Sequence, residues 1–122
     1  MSEMMTPEKF VEMMRFEVID GQISSEIERF NAYEVEIEHE HLEKDATNLF
    51  SSLSPAQKKV FLSILRQVSL DTTASVLAVL DGVRMIEGVF DDFHLTYGDE
   101  KTELVGDLAS TLLEKEDFSN KV

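Results

Sequence analysis

The spacing of apolar residues predicts a mainly helical chain. In residues 55–81, apolar side chains recur at intervals of three and four residues, the spacing of a helical face. Ser54-Pro55-Ala56-Gln57 supplies a cap residue, a proline at the first helical position and a glutamine that can complete a capping box. The segment is predicted to be either one helix or two helices broken near residues 69–72. In both cases apolar residues occupy most of its circumference, so we expect it to lie at the centre of the fold.

A second helix start lies near the N-terminus. Thr6-Pro7-Glu8 places a capping hydroxyl before a proline and an acidic residue in the first turn. Apolar residues follow at helical spacing, and Gly21 offers a C-terminal stop. The pattern therefore predicts a first helix over residues 7–19.

Residues 22–53 carry two helical patterns that are slightly out of phase. The phase slips by about one residue near residues 39–41, which predicts a kink or a short break there. Residues 33–38 also alternate between apolar and polar, as a strand does. Because the polar positions are glutamates, which favour helices over strands, we predict a helix.

The last third of the chain changes character. Apolar and polar residues alternate over residues 93–97, and Gly98-Asp99-Glu100 offers a turn, so a small β-hairpin is predicted over about 93–104. Leucines at 104, 108 and 112 then predict a final helix that ends near Glu116. The expected fold is a single domain over residues 1–122, with four to five helices around a central apolar helix at about 55–81. Residues 1–5 and 117–122 are expected to fray.

Charge is distributed unevenly along this pattern. The chain has 25 acidic and 11 basic residues, which gives a net charge of −14. Residues 26–45 and 87–117 hold eighteen of the acids, whereas residues 51–86 hold two acids and four bases. Clustered basic residues are what nucleic acids and anionic membranes require, so we expect neither as a partner. A basic protein is the expected partner, and the residues predicted to bind it are Glu34, Glu36, Glu38, Glu40, Glu43 and Asp45.

A metal site is a second possibility for the same segment. Glu36, His39 and Glu43 are spaced to share one helical face, and a glutamate three residues before a histidine is the ligand spacing of dimetal sites in helical bundles. Such a site needs a second copy of this spacing on another helix. The second copy here, Glu38 and His41, lies on the same segment and points in a different direction, and the remaining histidine, His94, falls in the predicted hairpin. A solvated acidic face is therefore the favoured interpretation, and no cofactor is expected.

Motifs of common enzymes do not occur in the sequence. It contains no nucleophile elbow, phosphate-binding loop, zinc-protease motif or EF-hand loop. The paired carboxylates Asp91-Asp92 and Asp99-Glu100 could take part in acid–base chemistry, but both are predicted to be solvated loop residues. The absence of cysteine excludes disulfides and thiol chemistry, and it suits a reducing cytoplasm, which is the expected location.

These features predict a non-enzymatic acidic interaction protein that binds a basic partner, in the manner of an inhibitor or immunity protein. Two alternatives remain open. One is a helical protein that binds metal through carboxylates and histidine. The other is a helical homodimer of structural role, because four helices and a hairpin can leave an apolar patch uncovered.

Overall fold

The computed structural model describes residues 4–32, 41–89 and 91–114, and it is mainly helical. In chain order the elements are α1 (Pro7–Met13), a π-helical segment (Met14–Asp20), α2 (Gly21–Ala32), α3 (His41–Ser52), α4 (Pro55–Leu80), β1 (Thr96–Tyr97), β2 (Thr102–Glu103) and α5 (Leu108–Glu114). The predicted fold class, with a small hairpin before the last helix, is confirmed. The helix predicted for residues 33–38 and most of the break expected near residues 39–41 lie outside the described residues.

The first helical run is longer than the sequence indicates. It begins as predicted, because the Thr6 side chain accepts a hydrogen bond from the Lys9 amide at 3.1 Å. The predicted end near residue 19 is wrong, since Gly21 has helical angles (φ −61°, ψ −42°) and its amide is bonded to Phe16 and Val18. Ile19 is buried in the core and Asp20 forms an ion pair with Arg66, so tertiary contacts hold the helix through the glycine.

Helix α4 is continuous over 26 residues. The predicted capping box is present: the Ser54 hydroxyl accepts from the Gln57 amide at 3.1 Å, and the Gln57 side chain accepts from the Ser54 amide at 2.9 Å. The alternative of two helices broken near residues 69–72 is wrong. The hydroxyls of Ser69 and Thr73 donate to carbonyl oxygens four residues earlier, so their polar groups are satisfied inside the helix.

Two clusters of apolar side chains hold the helices together. In one, the aromatic rings of Phe30, Phe50 and Phe61 join α2, α3 and α4, and the first two rings stack with their centroids 4.7 Å apart. The other joins α1, the π-helical segment, α4 and α5. Its buried members are Val11, Ile19, Leu70, Ala74, Leu77, Leu108 and Leu112.

Helix α4 contacts α2, α5 and the π-helical segment, as expected of the central helix. These neighbours cover only one side of it, however, and just Leu70, Ala74 and Leu77 are buried. Val60, Ile64, Val68 and Val76 are each more than half exposed. Within the described part of the chain, α4 is the helix whose length and composition would allow it to cross a membrane, although most of it is not buried in the protein.

The hairpin is shorter than predicted. Thr96 pairs with Glu103 and Tyr97 with Thr102 in antiparallel register, and the Leu104 amide adds one more bond to the Leu95 carbonyl at 2.8 Å. The turn uses two left-handed residues, Gly98 (φ +76°) and Lys101 (φ +53°). Leu104 is buried, so the end of the hairpin is held against the helices.

Candidate interaction surface

The end of α4 directs the chain into a long loop, whose Val83 and Met85 are the most exposed large apolar residues of the described ranges. Gly82 adopts a left-handed conformation (φ +80°), which L-residues with a Cβ rarely adopt. The amides of Val83 and Arg84 both donate to the Ala78 carbonyl, at 2.9 and 3.1 Å. These bonds satisfy a carbonyl in the last turn of α4 and fix the direction in which the loop leaves the helix.

Asp81, at the end of α4, also holds the segment that follows the hairpin. One carboxylate oxygen accepts from the Gly106 amide at 2.7 Å, and the other accepts from the Ala109 amide at 2.9 Å. The carboxylate therefore caps α5, the helix that follows the hairpin, rather than the helix on whose end it lies. Both ends of the chain between Gly82 and Gly106 are thereby held beside the end of α4.

The loop forms a small cleft lined by both apolar and charged side chains, which we call the loop cleft. Its volume is about 60 Å³, and its lining residues are Val79, Gly82, Arg84, Met85, Ile86, Val89, Asp91, Asp92 and Phe93. Met85 is 77% exposed and the adjacent Val83 is 73% exposed. Solvent-facing methionine and aromatic side chains of this kind are enriched at protein interfaces.

Carboxylates are concentrated on the loop and the hairpin, and two of them, Asp91 and Asp92, line the loop cleft. Residues 82–103 contain six acidic residues and two basic residues, Arg84 and Lys101, and all eight side chains are exposed. The six acids are Glu87, Asp91, Asp92, Asp99, Glu100 and Glu103. The loop and turn positions expected for Asp91-Asp92 and Asp99-Glu100 are confirmed. The surface therefore combines apolar side chains with a rim of negative charge.

One ion pair braces the base of the hairpin. The His94 imidazole lies 2.6 Å from a Glu103 carboxylate oxygen, between the two chain segments of the hairpin. The hydrogen bond to Glu103, followed by the charge of that carboxylate, raises the pKa of His94 above its ordinary value. His94 is thus engaged with a glutamate of its own hairpin.

Most residues predicted to bind a partner fall where the structure gives no description. Glu34, Glu36, Glu38 and Glu40 lie outside the described residues, and Glu43 lies in α3 without a described side chain. Asp45 is exposed on α3. His39, the central member of the predicted metal set, also lies outside the described residues. Within residues 4–32, 41–89 and 91–114, no group of three or more potential ligand side chains is placed to hold a metal ion.

The apolar part of the surface was not predicted from the sequence. Val83-Arg84-Met85-Ile86 has neither the helical nor the strand period, so it carried no assignment to an element. The sequence does show three apolar residues, Val83, Met85 and Ile86, directly after Asp81-Gly82, which ends the helix. It shows no other apolar segment that would be expected to cover them, and that combination could have indicated exposure.

The chain was compared with models of protein families, with curated proteins and with solved structures, and none of the three comparisons finds a match.

Proposed function

We propose that this protein is a non-enzymatic interaction protein, inhibitor-like or immunity-like in its action, and that its loop cleft binds a basic protein. The observation that carries the proposal is the coincidence, on residues 82–93, of strongly exposed apolar side chains with an exposed acidic rim. An apolar centre with a charged rim is the usual composition of a protein-binding surface.

The two components have different effects on binding. Met85 and Phe93 supply apolar area that is removed from water on contact, and a few well-buried residues commonly provide most of an interface's binding energy. The carboxylates, together with the net charge of −14, attract a basic protein from a distance and disfavour acidic ones. Asp45, the member of the predicted binding set whose side chain is described, adds to the same negative field.

The proposal can be tested by capture from a lysate of the cells that encode the chain. Three immobilised baits are compared with the wild-type protein: Met85→Ser with Phe93→Ser, Asp91→Asn with Asp92→Asn, and Glu8→Gln with Glu28→Gln. The last pair removes the same charge from exposed positions on α1 and α2, so it is the matched control for the second. Retained proteins are identified by mass spectrometry at low and at high salt.

We expect the wild-type protein and the control bait to retain the same basic protein at low salt. Both loop variants should lose it, and high salt should weaken its retention. An acidic partner, or one retained equally by all four baits, would contradict the assignment of the loop cleft. A partner that high salt does not displace would contradict recognition led by charge.

A further inference from the structure

The outward face of α4 carries a regular row of side chains. Starting at residue 56, every fourth residue is exposed, and four of the six are the half-exposed valines and isoleucine described above. The row, which we call the α4 ridge, comprises Ala56, Val60, Ile64, Val68, Thr72 and Val76. Its position is opposite Leu70, Ala74 and Leu77, which face α5 and the core.

We propose that the α4 ridge is covered by the α4 ridge of a second copy of this chain, in an antiparallel dimer. Side chains spaced four apart form a ridge inclined to the helix axis, and two such ridges interdigitate when the helices cross at about −50°. A two-fold axis through the midpoint of the ridge, between Ile64 and Val68, places Ile64 of one copy in the groove beside Val68 of the other copy. The same axis places Val68 of the first copy beside Ile64 of the second. The ridge is therefore complementary to itself.

Charge favours this face for the contact between two copies. The net charge of −14 is the sum of +2 for residues 51–86 and −16 for the rest of the chain. Two copies that met elsewhere would bring like charges together, whereas contact through α4 keeps the acidic segments apart. The antiparallel arrangement also brings the end of one ridge that carries Lys59 alongside the end of the other that carries Asp71. A parallel arrangement would instead place Lys59 near the second copy's Lys59 and Asp71 near the second copy's Asp71.

A lipid bilayer is the competing occupant of so apolar a helix, and the other side of α4 argues against it. Ala74 and Leu77 pack against α5, and the Arg66 guanidinium donates to the Asp20 carboxylate at 3.0 Å. Insertion of α4 into a bilayer would separate these contacts and leave Arg66 in hydrocarbon. A second copy covers the ridge and leaves the inner side intact.

The size of the ridge predicts a weak dimer. Its four large apolar side chains are only about half exposed, so they offer a few hundred Å², below the roughly 800 Å² per partner of a standard stable interface. We therefore expect a dissociation constant in the micromolar range. We also expect the dimer to tighten as salt is added, because salt screens the repulsion between two acidic chains.

Sedimentation equilibrium of the full chain tests the dimer, at protein concentrations from about 5 µM to about 500 µM, which bracket that affinity. The wild-type protein should pass from monomer to dimer. Ile64→Glu should raise the dissociation constant more than about tenfold, because it buries a charge at the interface. Ile64→Ser should weaken the dimer without adding charge. Met85→Glu adds the same charge on the loop cleft and should dimerise like the wild-type protein.

Circular dichroism and urea unfolding establish that each variant folds as the wild-type protein does. A wild-type chain that stays monomeric over the whole range would overturn the proposal, as would a dimer that Ile64→Glu leaves unchanged or that Met85→Glu also abolishes. Co-sedimentation of the wild-type protein, but not Ile64→Glu, with phosphatidylcholine vesicles would show that lipid, not a second copy, covers the ridge.

The orientation has its own test, since the chain lacks cysteine. A nitroxide attached through Ala56→Cys lies about 15 Å from the midpoint of the ridge, at 1.5 Å per residue. Electron–electron resonance should then give a separation of about 30 Å in an antiparallel dimer, against about 15 Å in a parallel one. The shorter distance would overturn the antiparallel arrangement. Failure of the dimer leaves the loop cleft proposal unaffected, because the two surfaces share no residue.

Discussion

At the scale of single residues, the charged side chains that form hydrogen bonds between elements lie mostly at or near helix ends. Asp81 is the clearest case, since its two oxygens accept from amides more than twenty residues away and cap α5. Arg15 acts similarly at the other end of the same helix, where its guanidinium donates to the Leu112 carbonyl at 3.0 Å. The Asp81 contacts hold α5 beside the end of α4, and the Arg15 contact holds it against the π-helical segment.

Replacing Asp81 with alanine should lower the free energy of unfolding by about 1–2 kcal/mol, the range for loss of a helix cap. Asp71→Ala is the matched control, because Asp71 is exposed and accepts from Gln67 within its own helix. That change should cost less than about 0.5 kcal/mol. Urea unfolding followed by circular dichroism measures both values. Equal losses for the two variants would show that Asp81 does not anchor α5.

His94 provides a pH-dependent contact at the base of the hairpin. Because Glu103 raises its pKa above the ordinary value of 6.5, the imidazolium is bound more tightly in the folded chain than in the unfolded one. The contribution to stability is therefore complete below about pH 6.5 and is lost as the pH rises through the raised value. NMR titration should show the pKa of His94 falling towards 6.5 in Glu103→Gln. An unchanged pKa would contradict the pairing.

At the scale of elements, two glycines that the sequence marks alike as helix ends behave in opposite ways. Gly21 lies inside the continuous helix from Pro7 to Ala32, where a Cβ would approach Phe16 at an ordinary 3.6 Å. Gly82 has a φ of +80° and ends α4. The difference arises from tertiary contacts, since the residues before Gly21 are anchored to α4 and the core.

The two alanine substitutions should accordingly have opposite signs. Gly21→Ala should raise the free energy of unfolding by about 0.5–1 kcal/mol, because alanine is the better helix former and the site has room for it. Gly82→Ala should lower it by about 1 kcal/mol, through strain in the left-handed conformation. Denaturant melts of both variants decide the matter. Destabilisation by Gly21→Ala would mean that the helix does not run through that residue.

The elements themselves could largely be predicted from local signals. The capping box at Ser54-Gln57, the proline and threonine before α1 and the turn at Gly98 each depend on neighbouring residues, which the sequence shows directly. The covered side of α4 could not be predicted, because Val60 and Leu70 are both apolar, and their environments depend on where α5 lies. The candidate surface was missed for the same reason: the exposure of Met85 depends on the absence of a packed neighbour.

At the scale of the whole molecule, the protein presents two surfaces of different chemistry. The loop cleft joins apolar side chains to a carboxylate rim, and the α4 ridge is apolar and lies in the part of the chain with a net positive charge. Salt should affect them in opposite directions: it weakens attraction to a basic partner and relieves repulsion between two copies. Both contacts can form at once, since their residues do not overlap.

The most direct measurement is calorimetric titration of the captured basic partner into the wild-type protein and its charge variants, at two salt concentrations. Our account predicts that the dissociation constant rises with salt, that Asp91→Asn with Asp92→Asn raises it and reduces the salt dependence, and that Glu8→Gln with Glu28→Gln does so much less. A dissociation constant independent of salt, or equal effects of the two pairs of variants, would contradict binding of a basic partner through the acidic rim of the loop cleft.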